Sequence, residues 1–162
     1  MKLSIGDQLP SLNLQKLSSE GPQNVNLSEL SRNKKIVIFA VSGAYSDTCS
    51  TAHMPSFIRV VDDFRARGIQ YIVCISVNDV FVLDEWAKET GANLAGIEVL
   101  SDGDASFTKA MGMNFSLPDY GLYDRSQRYA MLVENGVIVV LQCEESSGEC
   151  TVSSGESLLA AI

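Results

Sequence analysis

What is scarce in this chain closes off several classes of function. It has one histidine, and its four cysteines, Cys49, Cys74, Cys143 and Cys150, form no C-x-x-C pair. That argues against a zinc site, or any metal site, and against a dithiol oxidoreductase. Positive charge is short: 12 Lys and Arg stand against 20 Asp and Glu, for a net charge of −8. Nucleic acid and anionic membrane surfaces are therefore not expected as partners. No apolar run reaches the roughly 18 residues of a membrane span. The opening stretch MKLSIGDQLPSL lacks the apolar centre of a secretory signal. The expected location is the reducing cytoplasm, where cysteines are mostly free thiols. No repeat or low-complexity tract interrupts the chain. Its 162 residues, 46% hydrophobic, suit one domain spanning 1–162 with a real core.

What is present reads as alternating strands and helices. KKIVIFAVS (34–42) and IQYIVCISV (69–77) are continuous apolar runs, the pattern of strands covered on both faces. GIEVLSD (96–102) is a third. Helices are expected over about 47–67, 80–90 and 104–112, each closed by a glycine, with Asn78 or Asp79 capping the second. RYAMLVENGVIVVLQCE (128–144) is a hairpin turning at Asn135-Gly136. A capped helix ends the chain at 153–162. The segment to Leu17 reads as extended, 19–26 and 113–124 read as loops, and 27–30 as one helical turn. This order predicts an α/β chain of thioredoxin-like arrangement. A mixed central sheet would carry helices on both faces and an added N-terminal extension. Sites in such sheets lie beyond the carboxyl ends of the parallel strands.

One such end is VSGAYSDTCSTAHMPSF (41–57), where a cysteine follows a buried strand and opens a helix. A free cysteine is commonly inert core. Against that stand the small Gly43-Ala44 entry and the polar neighbours Ser46, Asp47, Thr48 and Ser50. At a helix start, free N–H groups and the dipole favour a thiolate. Only about 3% of an ordinary thiol is ionised at pH 7, so full ionisation gains about thirtyfold. Fast chemistry would need further groups acting on the transition state. On spacing alone, core filler and reactive thiol both stand.

The segment SGAYSDTCSTAHMPSF resembles the active-site stretch of the peroxiredoxins, thiol peroxidases with the signature P-x-x-x-T-x-x-C. The type II group, which includes peroxiredoxin five, is most similar, typically reading PGAFTPTCS followed by HLPGF. The likeness continues through VCISVNDVFVLDEWAK (73–88), SDGDASFTKAMG (101–112) and RSQRYAMLVENGVI (125–138). The resemblance makes Cys49 the peroxidatic cysteine, oxidised to a sulfenic acid by hydrogen peroxide or a small alkyl hydroperoxide. The signature threonine falls on Ser46 and the active-site arginine on Arg128. Ser42, Gly43 and Thr48 would form the substrate-binding loop. His53, four residues after Cys49, is read as supporting the site from behind rather than as a base. Arg125 is read as a solvated strand-end charge. No cofactor is implied.

Three positions depart from the family pattern. Proline is replaced by Ser42 and by Asp47, and threonine by Ser46. Asp47 would raise the thiol pKa if it points inward, or would cap the helix if it points away. These changes motivate the alternative of a weakened redox sensor or binding protein on the same fold. A sulfenic acid needs a second thiol. Cys150, on a loop, is the preferred internal resolving candidate. Cys74, inside a strand, is the second, and Cys143 has no case. Direct reduction by glutathione or glutaredoxin stands beside internal resolution followed by thioredoxin. Tyr45, Phe81 and Trp86 read first as core aromatics. The resemblance also implies a homodimer through the active-site face, to which Tyr45 and Phe81 would contribute.

Overall fold

A computed structural model describes residues 1–162. Three parallel strands form the centre of one sheet: β3 (Lys35–Ala40), β4 (Tyr71–Ser76) and β5 (Glu98–Ser101). The hairpin β8 (Tyr129–Glu134) and β9 (Val137–Cys143) adds antiparallel to β3. At the other edge, β1 (Asn13–Ser18) and β2 (Gly21–Asn26) pair antiparallel beside β5. The strand order is β2-β1-β5-β4-β3-β8-β9. Asn135 and Gly136 both adopt positive φ, 48° and 79°, as a type I′ turn requires.

Strand alternation divides the interior into two cores. Val37, Phe39, Cys74, Ala130 and Leu132 face one side. There they meet α2 (Met54–Ala66), α3 (Val80–Thr90), α4 (Ala92–Ala95) and α6 (Gly155–Ala161). Ile36, Ile38, Val73, Ile75, Tyr129 and Met131 face the other side, against α1 (Leu27–Leu30) and α5 (Ser106–Met111). Both sheet faces are thus covered by helices, in the mixed α/β, thioredoxin-like arrangement anticipated. Phe57 of α2 stacks on Phe39 with ring centroids 3.9 Å apart. Burying each such side chain contributes about 2–3 kcal/mol.

Several local expectations need correction. Residues 21–26 are a strand, not a loop. A polar sequence (GPQNVN) on the sheet's outermost edge keeps its side chains half or fully exposed, so no apolar alternation marks it. The expected N-terminal extension is the sheet's own edge. Residues 113–124 hold β6 (Asn114–Leu117), a 3₁₀ turn (Pro118–Tyr120) and the start of β7 (Leu122–Ser126), a two-stranded ribbon. Its strands are short and half exposed, which weakens the signal. The long helix does begin at Asp47 as expected, but after residues 47–48 it widens into a π-turn over Cys49–His53 before α2. Its wide bond runs from Met54 N to Cys49 O. Pro55 explains the widening: it cannot donate to the Thr51 carbonyl, and its ring crowds that carbonyl.

Candidate active site

Residue 41 leaves β3 at its carboxyl end, and residues 42–48 lead into the π-turn. Asn78, just past the parallel neighbour β4, steadies this loop. Its Oδ1 accepts from the Ala44 N–H (2.9 Å) and the Ser76 hydroxyl (2.6 Å). Asp79 is the residue that caps α3, accepting from Phe81 N and Val82 N. Ser46 Oγ donates to the Gly43 carbonyl at 2.7 Å, closing the loop on itself.

Arg128 reaches the same point from the neighbouring antiparallel strand, just before β8. The register pairs Ala40 with Tyr129, so residue 128 lies just beyond the end of β3. Alternation through Ala130 and Leu132 aims its side chain at the α2 face. Arg128 as a whole is 1% exposed. Its Nη2 donates to Cys49 Sγ (3.1 Å), Ser42 Oγ (3.2 Å) and the Ser147 carbonyl (2.9 Å). Its Nη1 donates to His53 Nδ1 (2.9 Å). Because guanidinium only donates, Nδ1 must be the acceptor, and His53 Nε2–H donates to the Ser153 carbonyl (2.9 Å). Burial and the adjacent Arg128 charge hold the His53 pKa down at about 3. His53 is therefore a neutral prop for Arg128, not a base for Cys49.

Cys49 is fully buried at the end of the α2-side core. Burial alone would push its thiol up. The Arg128 charge and the hydroxyls of Ser46 and Ser42 more than offset that, so its pKa lies below the ordinary thiol value. The other thiols move the opposite way. Burial raises Cys74, which is wholly enclosed on β4 between β3 and β5, well above the usual range. Burial also raises Cys143 at the end of β9 and Cys150 on the following loop, both half-buried.

That loop, 144–153, is clamped onto the site. The buried Glu144 carboxylate accepts from the backbone N–H groups of Thr151, Val152 and Ser153 and from the Thr151 and Ser153 hydroxyls. Thr48 Oγ1 donates to the Gly148 carbonyl (3.0 Å), so Thr48 ties the turn that carries Cys49 to this loop. Asp47 is exposed and makes no cap; Thr48 holds the cap position without a side-chain bond. The structure thus gathers Ser42, Cys49, His53 and Arg128 at one point, and places Ser46 and Gly43 on the loop before it. Sequence reasoning missed Asn78 and Glu144 in these roles, because single polar residues at strand ends carry no pattern. It also misplaced Arg125. The Arg125 guanidinium lies over Gly43, with Nη1 3.0 Å from where a β-carbon there would sit. Trp86 is core, as read, while Tyr45 and Phe81 are 50% and 65% exposed and are not.

A buried arginine bonded to a cysteine of lowered pKa, beyond the end of a parallel strand, is the arrangement that thiol chemistry needs. The Redoxin family model matches residues 4–159. Peroxiredoxin-2E, chloroplastic, of Arabidopsis thaliana is 43% identical over 99% of this chain and 69% of its own length. This chain belongs to the peroxiredoxins, a family of thiol-dependent peroxidases. The crystal structure of reduced Prx3 in complex with H₂O₂ from Vibrio vulnificus is 40% identical, with a TM-score of 0.91. It covers 98% of this chain and 95% of that one. Peroxiredoxin-2F, mitochondrial, of Arabidopsis thaliana is 37% identical over 94% of this chain and 79% of its own length. These names overturn the cytoplasmic expectation: the relatives are chloroplastic and mitochondrial peroxiredoxins. Free thiols call for reducing surroundings, not for one particular compartment.

Proposed function

We propose that Cys49 is the peroxidatic cysteine of a peroxidase acting on hydrogen peroxide and small alkyl hydroperoxides. The Cys49 thiolate attacks the terminal oxygen of the peroxide. An S–O bond forms, the O–O bond breaks, and sulfur gives two electrons. Cys49 becomes a sulfenic acid, and the leaving oxide takes up a proton to become water or an alcohol. Arg128 stabilises both the thiolate and the charge growing on the leaving oxygen. The observation that carries this reading is the 3.1 Å bond from Arg128 to Cys49 Sγ inside a buried site. In such surroundings a charge acts more strongly than in water. Because Cys49 is fully buried, a peroxide enters by displacing the loop around the exposed Ser46. Ser46 then offers its hydroxyl to the incoming oxygen. The weakened-sensor alternative finds no support: Asp47 points to solvent and the Arg128–Cys49 pair is intact.

The oxidised sulfur returns by a thiol reductant. Cys150 is the internal candidate, since it rides on the loop whose Ser147 and Ser153 carbonyls already touch Arg128 and His53. Cys74 would have to leave the middle of the sheet first. Direct reduction by glutathione or glutaredoxin is the competing route to internal disulfide and thioredoxin. The chain 1–162 is read as one domain, and its copies as a homodimer through the face bearing Tyr45 and Phe81. Adding one equivalent of peroxide, with and without glutathione, and weighing the intact protein separates the routes. We expect rapid loss of the Cys49 thiol and none in Cys49→Ser. Unchanged peroxide consumption by Cys49→Ser would refute the assignment. A two-hydrogen mass loss, absent in Cys150→Ser, identifies internal resolution. A glutathione adduct on Cys49 identifies the direct route.

A further inference from the structure

We propose that Ser42, beside Arg128, donates a hydrogen bond to the Cys49 sulfur, a catalytic contact that a proline at this position could not make. The inference rests on Cys49 being the reacting thiol. Ser42 is buried, and its Oγ lies 3.5 Å from Cys49 Sγ and 3.2 Å from Arg128 Nη2. These are the only two partners of the hydroxyl. The guanidinium has no lone pair to offer, so toward Arg128 the serine oxygen is the acceptor. Its own proton is left with one acceptor in reach, the sulfur. In the thiol form either partner could donate; once sulfur is an anion, only the hydroxyl has a proton to give.

Arg128 therefore acts on the thiolate twice, once directly and once by orienting Ser42. The family residue at this place is an imino acid that shields sulfur and donates nothing. In this chain the same position contributes to ionisation. A hydrogen bond to a charged group is worth about a tenfold change in the ionisation equilibrium. It also has an opposing effect. A thiolate held by an additional donor is a weaker nucleophile per anion, because nucleophilicity falls as basicity falls. The serine thus trades intrinsic reactivity for a larger anionic fraction at low pH.

The test reads ionisation rather than turnover, so its failure is distinct from failure of the peroxidase assignment. The rate at which a small alkylating reagent modifies Cys49 is followed across pH at the Cys49-containing peptide by mass spectrometry. Relative to the unaltered chain, Ser42→Ala and Ser42→Pro should move the midpoint up by about one pH unit. Their alkaline plateau should rise by about threefold, so that the two curves cross. Ser42→Thr, which keeps the hydroxyl, should restore the original midpoint. The proposal is overturned if Ser42→Ala leaves the midpoint where it was. It is also overturned if Ser42→Ala lowers the rate by one factor at every pH, as a merely loosened loop would.

Discussion

His53 is the one histidine in the chain, and its burial gives the site a measurable signature. Unfolded, it takes a proton near pH 6.5; folded, burial and Arg128 hold it neutral down to about 3. Between those values the unfolded state binds the extra proton, so stability is full above 6.5 and falls as pH drops through the window. From pH 6.5 to 5, urea unfolding should report a loss of about 2 kcal/mol. Carboxylates ordinarily titrate near 4, below this range, so His53→Gln should flatten it. An unchanged unfolding midpoint over that interval in the unaltered chain would contradict the placement of His53. At still lower pH Glu144, held below the ordinary carboxylate value by the Thr151 and Ser153 bonds despite its burial, adds its own loss. That Arg128 and Cys49 meet was legible in the sequence, because their types and order match a known signature, whereas Ser46 stands where that signature has threonine. The placement of Arg125 was not legible. Its side chain reaches across to Gly43, and nothing in the order of residues around 125 reports a partner 82 positions upstream.

The elements that locate the site are a strand end, a π-turn and a clamped loop, and α6 buttresses them. Gly155 sits where α6 crosses α2. A β-carbon there would lie 2.5 Å from the Ser56 carbonyl oxygen and 2.9 Å from the Phe57 α-carbon, both backbone atoms that cannot swing aside. The Gly155 N–H also donates to Ser56 Oγ. Gly155→Ala should cost about 2 kcal/mol through overpacking. For a chain of this size that lowers Tm by about 4–8 °C, read by calorimetry or circular dichroism. A Tm within a degree of the unaltered protein would show that the two helices do not meet so closely. The parallel strands, the hairpin and the main helices could be read because their apolar periods are long and their glycines fall at element ends. The edge strand 21–26 and the ribbon formed by β6 and β7 could not, because exposed short strands need no apolar period. The π-turn was hidden for another reason: apolar spacing sees a helix face, while the widening comes from the missing N–H of Pro55.

At the scale of the whole molecule, the acidic surface and the exposed aromatics set opposing conditions for self-association. Each copy carries −8, so two copies repel. Phe81 and Tyr45, largely exposed beside the active-site loop, supply apolar area that association would cover. A homodimer on this face should therefore tighten as salt screens the repulsion. Sedimentation at micromolar concentration should give a dimer mass that rises in occupancy with salt and reverts to monomer in Phe81→Glu. A monomer at all ionic strengths would rule out this interface. The only tryptophan, Trp86, donates its indole N–H to Ser50 Oγ at 3.0 Å, one residue beyond Cys49. The internal resolution proposed for Cys49 would unwind this turn, break the bond and expose the ring, and tryptophan emission would then report the step without a dye.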